Sequence, residues 1–439
     1  PLRRAVVLLS VPMVLEMSME SLFSIVDIFF VSRLGPDAVA TVGLTESMLS
    51  PVYALAMGLS AGATAIIARR TGEKDAAGAA VAAVQVIAAA LALAGTFGAA
   101  GAALSSRLLE LMGAGPGVVA VGSGYTALML GGSVTIFLLF VVNAIFRATG
   151  DAAVAMRSLW FANGLNIVLA PCFIFGLGPL PAMGVTGAAV ATTLSRGAGV
   201  VYQLAALARG RGRLALARRH LVLRARVLLE VLRVSAPAAL QVLVETASWL
   251  GLVRILSTFG SAALAAYTIA MRIAIFALLP PFGLANAAAT LVGQNLGAGE
   301  PERAKQAVST IAGYNMVFLG SIGLAFAIAP GLIVGLFTPD PALAAYASQC
   351  LRVVSLGFVF YAYGMVAVQA FNGAGDATTP LVINLVSFWL FKLPLAWLLA
   401  KPLGLGPLGV FLAIALAYSL QALAAGVMFR RGSWQKKAV

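Results

Sequence analysis

Long apolar runs alternate with short breaker-rich segments along the whole chain, and the runs have membrane-spanning length. A helix needs about 20 apolar residues to cross a hydrocarbon core. Twelve runs meet that length, roughly at 6–32, 41–68, 79–103, 117–145, 155–177, 183–206, 230–257, 263–292, 307–335, 343–370, 379–400 and 406–429. Turn-forming residues separate many of them, such as Gly35-Pro36, Gly150-Asp151, Pro179 to Pro181, Gly297 to Pro301 and Pro339-Asp340-Pro341. The pattern predicts an all-α polytopic membrane protein with twelve transmembrane helices. Composition agrees: 61% of the residues are apolar and 10% charged, against about 45–50% apolar in ordinary soluble domains.

The net charge of +14 would suggest nucleic acid if the basic residues formed one face. They do not. The densest stretch (Arg209, Arg211, Arg213, Arg218, Arg219, Arg224, Arg226) lies between two hydrophobic blocks. Others sit at Arg3 and Arg4, at Arg69, Arg70 and Lys74, at Arg303 and Lys305, and at Arg430, Arg431, Lys436 and Lys437. The alternate connections hold little more than Arg33, Arg107 and Lys401. This asymmetry follows the positive-inside rule and puts both termini and the central basic loop in the cytoplasm. His220, in that loop, is expected to face solvent. Two cysteines, Cys172 and Cys350, give neither a disulfide framework nor metal-ligand spacing. The first helix carries three acids, which the apolar core of a cleavable signal peptide would not.

Those acids are Glu16, Glu20 and Asp27. At about 100° per residue they fall within a sector of roughly 40° on one helix. Acids at membrane depth rarely face lipid, so the sector predicts a polar cavity. Residues 12–72 align without a gap on 237–297 at an offset of 225: Pro12 with Pro237, Glu20 with Glu245, Gly35 with Gly260, Gly58 with Gly283 and Gly72 with Gly297. The same offset pairs Gly150-Asp151 with Gly375-Asp376 and Gly184-Val185 with Gly409-Val410. Each half thus holds six spans. Because six is even, both halves enter the membrane in the same direction, as parallel repeats. The expected organisation is an N-lobe at 1–206, a cytoplasmic linker at 207–228 and a C-lobe at 229–439. Paired lobes invite alternating access. Asp151 and Asp376, in equivalent turns, are expected to cap the fifth and eleventh helices.

The order and spacing of several short motifs resemble the multidrug and toxic compound extrusion (MATE) transporters. The residues that carry the resemblance are VDIFFVSRLG at 26–35, GLSAGATAIIARRTGEKD at 58–75, ATGDA at 148–152, NIVLAPCFIFGLG at 166–178 and GVTGAAVAT at 184–192. In the second half they are LVETASWLGLVRIL at 243–256, GLANAAATLVGQNLGAGE at 283–300 and FNGAGDATTP at 371–380. The resemblance implies two six-helix bundles around a V-shaped cleft, and an inner-membrane antiporter that expels organic cations in exchange for protons or sodium ions.

It also implies residue roles. Asp27 matches the first-helix aspartate of the family's cation or proton site, with Asn166 and Thr192 as neighbours. Desolvation favours the neutral acid, so a buried carboxyl can exchange a proton, and Asn and Thr can bond to it. Many relatives carry a further acid where this chain has Ala170. Its loss weakens a sodium cage, because hard cations want several oxygens. Glu245 matches a seventh-helix glutamate that some relatives pair with an acid in the tenth helix. Here that helix offers Tyr361, Tyr363 and Gln369 instead, and Lys392 in the eleventh is a natural partner for the carboxylate. Glu16, Glu20, Glu46 and Glu245 give the cleft negative character. Met19, Phe23 and Trp249 add soft contacts suited to cations. Glu16 has no assigned role, and its repeat mate is the neutral Gln241.

The expected function is a proton-coupled, cation-coupled antiporter for organic cationic or amphipathic compounds. The alternatives are a sodium-coupled exporter of the same fold and a lipid-linked oligosaccharide flippase of the same superfamily, which should carry more cations in its cleft. The segment NLGAGE at 295–300 lacks the Lys and Ser/Thr of a phosphate-binding loop. No enzymatic activity, cofactor, metal or nucleic-acid partner is therefore expected, only a small-molecule substrate, membrane lipid and a monomeric chain.

Overall fold

A computed structural model describes residues 2–210 and 212–437, so Arg211 of the basic linker lies outside the described residues. Helices fill nearly all of it. In chain order they are α1 (Leu2–Val31), α2 (Pro36–Gly72), α3 (Ala76–Ala103), α4 (Ser105–Leu111), α5 (Pro116–Gly131), α6 (Ser133–Ala148), α7 (Ala152–Phe175) and α8 (Val185–Ala208). The second half adds α9 (Ala225–Leu256), α10 (Ser261–Gly297), α11 (Pro301–Ile328), α12 (Pro330–Val334), α13 (Pro341–Ser355), α14 (Phe358–Gly373), α15 (Thr378–Asn384), α16 (Leu393–Ala400) and α17 (Pro407–Arg431). A π-helical stretch, Leu385–Lys392, joins α15 to α16. Ten described helices are long and apolar enough to cross a membrane, and α13 with α14, bent by 54°, makes an eleventh. The remaining expected span, α8, is 24 residues long; small and polar residues, with Arg196 among them, dilute its apolar character.

The repeat survives in three dimensions almost residue for residue. The helices α10 and α11 begin and end 225 positions after α2 and α3, and α14 ends 225 after α6. Gly35 and Gly260 share φ of 102° at the turn before α2 and α10, a conformation that suits a residue without Cβ. One sequence match needs correcting. The residue opening α8 is Gly184 (φ 58°, ψ −138°), and the one opening α17 in the same conformation is Gly406 (φ 59°, ψ −142°), not Gly409. The structural mate of Gly409 is Gly187: at both, a Cβ would meet the backbone at the end of the preceding helix, at Phe173 and at Leu399 to Ala400. The loop before α17 is three residues shorter, so the offset falls to 222 and a matching Gly-x-x-Gly register misled the alignment.

The chain divides into two compact units, Leu15–Ala239 and Pro1–Val14 with Leu240–Val439. The division falls inside α1 and α9, close after Pro12 and Pro237, where each helix lacks a backbone N–H and is loosened. Glycines on α2 and α10 admit the visiting helix segments. A Cβ on Gly58 would lie 2.6 Å from Ser235 O on α9, and one on Gly283 would lie 2.5 Å from Met13 O on α1. Each unit thus incorporates one helical stretch from a helix whose larger part belongs to the other.

The basic linker is tied to the unit Leu15–Ala239 rather than free. Gln85 of α3 donates to Val222 O (2.7 Å) and accepts from Arg224 N (3.0 Å). His220, expected at the surface, is 8% exposed and accepts from Ala217 N at 3.2 Å. Its ring folds back to close the local turn. The Asp151 side chain accepts a hydrogen bond from the Arg213 backbone N–H and makes no cap hydrogen bond to α7, so it secures the linker instead. Asp376 does both jobs in the other unit. It accepts from Thr379 Oγ1 (2.7 Å) and Thr379 N (3.4 Å) near the start of α15 and pairs with Lys437 (3.3 Å).

Candidate functional site

In the unit Leu15–Ala239 the three acids of α1 receive different partners. Glu16 is 1% exposed. Its Oε1 accepts from Arg147 Nη1 at 2.7 Å and from Asn143 Nδ2 at 3.1 Å, both on α6. Asn143 Oδ1 in turn accepts from Ser158 of α7 and Gln203 of α8. The network ties four helices together and leaves Glu16 charge-balanced inside the bundle. Its place in the second half is taken by a neutral version. Gln241 stands at the position of Glu16 and Asn372 at the position of Arg147, and they exchange hydrogen bonds of 3.0 and 3.2 Å. The contact is kept and its charge removed.

Glu20 Oε2 accepts from Asn163 Nδ2 of α7 at 3.3 Å. Asp27 stands further along the helix, with Oδ1 buried and without a hydrogen-bond partner. Asn166 donates to Thr192 Oγ1 at 3.0 Å, so these two neighbours bond to each other. No hydrogen bond ties either to Asp27 among the described residues. Arg196, one turn beyond Thr192 on α8, donates to Tyr53 OH at 3.1 Å. It interacts electrostatically with both Glu20 and Asp27. Exposed Glu46 on α2 adds a like charge near Asp27. Met19 and Phe23, expected to contact substrate, are 9% and 8% exposed and pack within the helices.

The unit containing Leu240–Val439 builds its own cluster around Glu245 of α9. Tyr361 OH of α14 donates to Glu245 Oε1 at 3.3 Å, and the Tyr361 ring lies 4.2 Å from that of Tyr418 on α17. Lys392 ends the π-helical stretch and is 3% exposed, which excludes a side chain reaching to an interface. Its Nζ donates to Ser248 Oγ at 2.9 Å, lies 4.5 Å from the centre of the Phe388 ring and interacts electrostatically with Glu245. Trp249 packs against Tyr267 at 6.1 Å. Tyr363 departs from expectation. Two residues beyond Tyr361, it lines a separate cavity with Lys305 and Arg430.

Sequence reasoning missed Arg147 and Arg196. Both had signals: Arg147 is the repeat mate of Asn372, and Arg196 lies four residues after Thr192 in an apolar run. With the offset of 222 that applies in this helix, the mate of Arg196 is Tyr418, which touches the Glu245 cluster. Both halves therefore place the same helix position beside an acid.

Comparison with known proteins places these features. The MatE family model matches residues 12–172 and again 237–398, two matches that begin 225 positions apart. The chain is 27% identical over 448 residues to "Probable multidrug resistance protein NorM" of Thermotoga maritima, covering 100% of this chain and 94% of that protein. It is 28% identical over 406 residues to "FAD transporter" of Shewanella oneidensis, covering 90% of this chain and 88% of the relative. Among solved structures it resembles the crystal structure of MATE in complex with MaL6, with a TM-score of 0.93 and 28% identity over 99% of this chain and 98% of the other.

Proposed function

We propose that this chain, which belongs to the MatE family, is a multidrug exporter of the inner membrane that expels organic cationic or amphipathic compounds by alternating access, in exchange for protons. The carrying observation is that each unit sets a basic side chain beside its acids at membrane depth: Arg196 near Glu20 and Asp27, and Lys392 near Glu245. A proton arriving at such an acid neutralises it and releases the base from its attraction. A sodium ion would have to settle beside a fixed positive charge, with Ala170 supplying no second carboxylate. Asp27 and Glu16 each keep one buried oxygen without a hydrogen-bond partner, but Glu16 is ion-paired with Arg147 at 2.7 Å and Asp27 is in no such pair among the described residues, which supports Asp27 as the acid that gains from protonation. Names of relatives support the multidrug reading. The positive-inside pattern supports cytoplasmic termini.

The test is efflux of a fluorescent cation from proteoliposomes, with pH and sodium gradients imposed separately. A pH gradient alone should drive export, and Asp27→Asn should abolish it while the protein still inserts. Export driven by sodium without a proton gradient would overturn proton coupling. Normal export by Asp27→Asn would remove that residue from the mechanism.

A second reading is favoured by the same bases. Arg196 and Lys392 suit an anionic group on the substrate, and one relative is named a FAD transporter. Inhibition of cation efflux by FAD, weakened in Arg196→Gln, would support it over the purely cationic class.

A further inference from the structure

A cavity of about 490 Å³ lies among α11, α14 and α17, away from the Glu245 cluster. Its walls change character along its length. At one end stand Lys305, near the start of α11, and Arg430, in the last turn of α17. Arg430 is exposed and pairs with no acid among the described residues, whereas Lys305 shares its charge with Glu302 at 2.6 Å. Ser309 and Tyr363 follow with hydroxyls that no described residue occupies as hydrogen-bond partner, and Met316 is the lining residue farthest along α11 from Lys305. At Gly313 a Cβ would meet nothing within 4 Å, so the wall is open there. The neighbouring face of α11 presents Tyr314, Val317 and Phe318, which are 43%, 74% and 39% exposed, as a lipid-facing helix would.

The dimensions fit one leaflet. From Lys305 to Met316 is eleven residues, about 16 Å of helix, and half a hydrocarbon core is about 15 Å. Basic groups therefore sit at headgroup level, with hydroxyl donors just below and apolar surface beneath. We propose that this groove binds an anionic phospholipid from the leaflet on the basic side of the protein, with its phosphate held by Arg430 and Lys305. One acyl chain lies past Gly313 toward Met316. A soluble anion would use the cations and leave the apolar length empty, and a zwitterionic lipid would use that length without the net charge. The site is independent of the transport reading.

Native mass spectrometry of the purified full chain, titrated with phosphatidylglycerol or phosphatidylcholine, tests it. Phosphatidylglycerol should bind more tightly than phosphatidylcholine. Arg430→Gln and Lys305→Gln should each weaken phosphatidylglycerol about fivefold, the equivalent of about 1 kcal/mol per basic residue at an anionic surface, and weaken phosphatidylcholine, whose choline already offsets its phosphate, by less. Gly313→Phe, which fills the groove without changing charge, should weaken it too, with thermal stability held as the control. Equal binding of the two lipids would overturn the proposal, as would wild-type affinity in Arg430→Gln or full displacement of phosphatidylglycerol by glycerol phosphate.

Discussion

Exchanging the Glu16–Arg147 pair for the side chains that the second half uses is a direct test of what that pair does. Glu16 and Arg147 have side chains 1% and 10% exposed and meet at 2.7 Å. Glu16→Gln alone leaves the guanidinium buried without its acid. Arg147→Asn alone leaves a buried carboxylate with Asn143 as its remaining donor. Removing one partner of such a pair costs about 3–5 kcal/mol. The double variant Glu16→Gln/Arg147→Asn installs the Gln–Asn combination that Gln241 and Asn372 already use, with no charge left to strand. It gives up part of the Arg147 side-chain packing but should recover most of the loss, a coupling of about 3 kcal/mol between the sites. For a unit of this size 1 kcal/mol moves the midpoint by about 2–4 °C. The single variants should therefore unfold roughly 6–20 °C lower and the double variant within about 5 °C of the parent. Thermal unfolding of the detergent-solubilised proteins, followed by tryptophan fluorescence, reads all four. If the double variant falls by the sum of the two singles, the pair is not coupled and the reasoning fails. If Glu16→Gln alone changes nothing, Glu16 carries no charge for Arg147 to balance.

Three more outcomes are expected. Gly58→Ala and Gly283→Ala, whose added methyl would press on backbone at 2.6 and 2.5 Å, should each cost about 1–3 kcal/mol in thermal unfolding, whereas Gly313→Ala, with open space, should cost far less. Lys392→Met removes the built-in cation beside Glu245 and should let sodium stimulate efflux, while the proposed proton coupling predicts none in the parent; no sodium response in the variant would count against the role given to that base. Tyr361→Phe deletes the 3.3 Å hydrogen bond to Glu245 and keeps the ring against Tyr418, so transport should fall while stability moves by only about 0.5–1.5 kcal/mol, checked by efflux and melting on one preparation.

What could be read from the chain beforehand follows a physical divide. Helix positions and the repeat were legible because length, hydropathy and glycine spacing are local, and α2 and α10 end where the 225 offset puts them. Register across a loop of different length was not: Gly184 pairs with Gly406, and only the backbone angles reveal it. Acids were legible as well, since any carboxylate in an apolar run stands out. Their partners were not, because an arginine near a helix end reads equally as a topology signal. Arg147 lies one turn from the Gly150-Asp151 break and is 8% exposed all the same.

The partners change what the repeat means. Where the halves coincide in backbone, they differ in charge: Glu16 and Arg147 against Gln241 and Asn372, and Arg196 against Tyr418. One half pairs Glu16 with Arg147 and sets Arg196 in the field of Glu20 and Asp27. The other holds Glu245 between a tyrosine hydroxyl and the field of Lys392. Duplication supplied one scaffold twice, and the acids placed on it are not equivalent. Of the three that first stood out on α1, Glu16 holds helices together, Glu20 is bonded to Asn163, and Asp27 keeps a buried oxygen without a partner. Glu16 Oε2 is buried without a hydrogen-bond partner too, but protonating Glu16 would forfeit its 2.7 Å ion pair with Arg147, whereas no such pair holds Asp27 among the described residues, and this is why the proposed exchangeable proton of this half sits on Asp27.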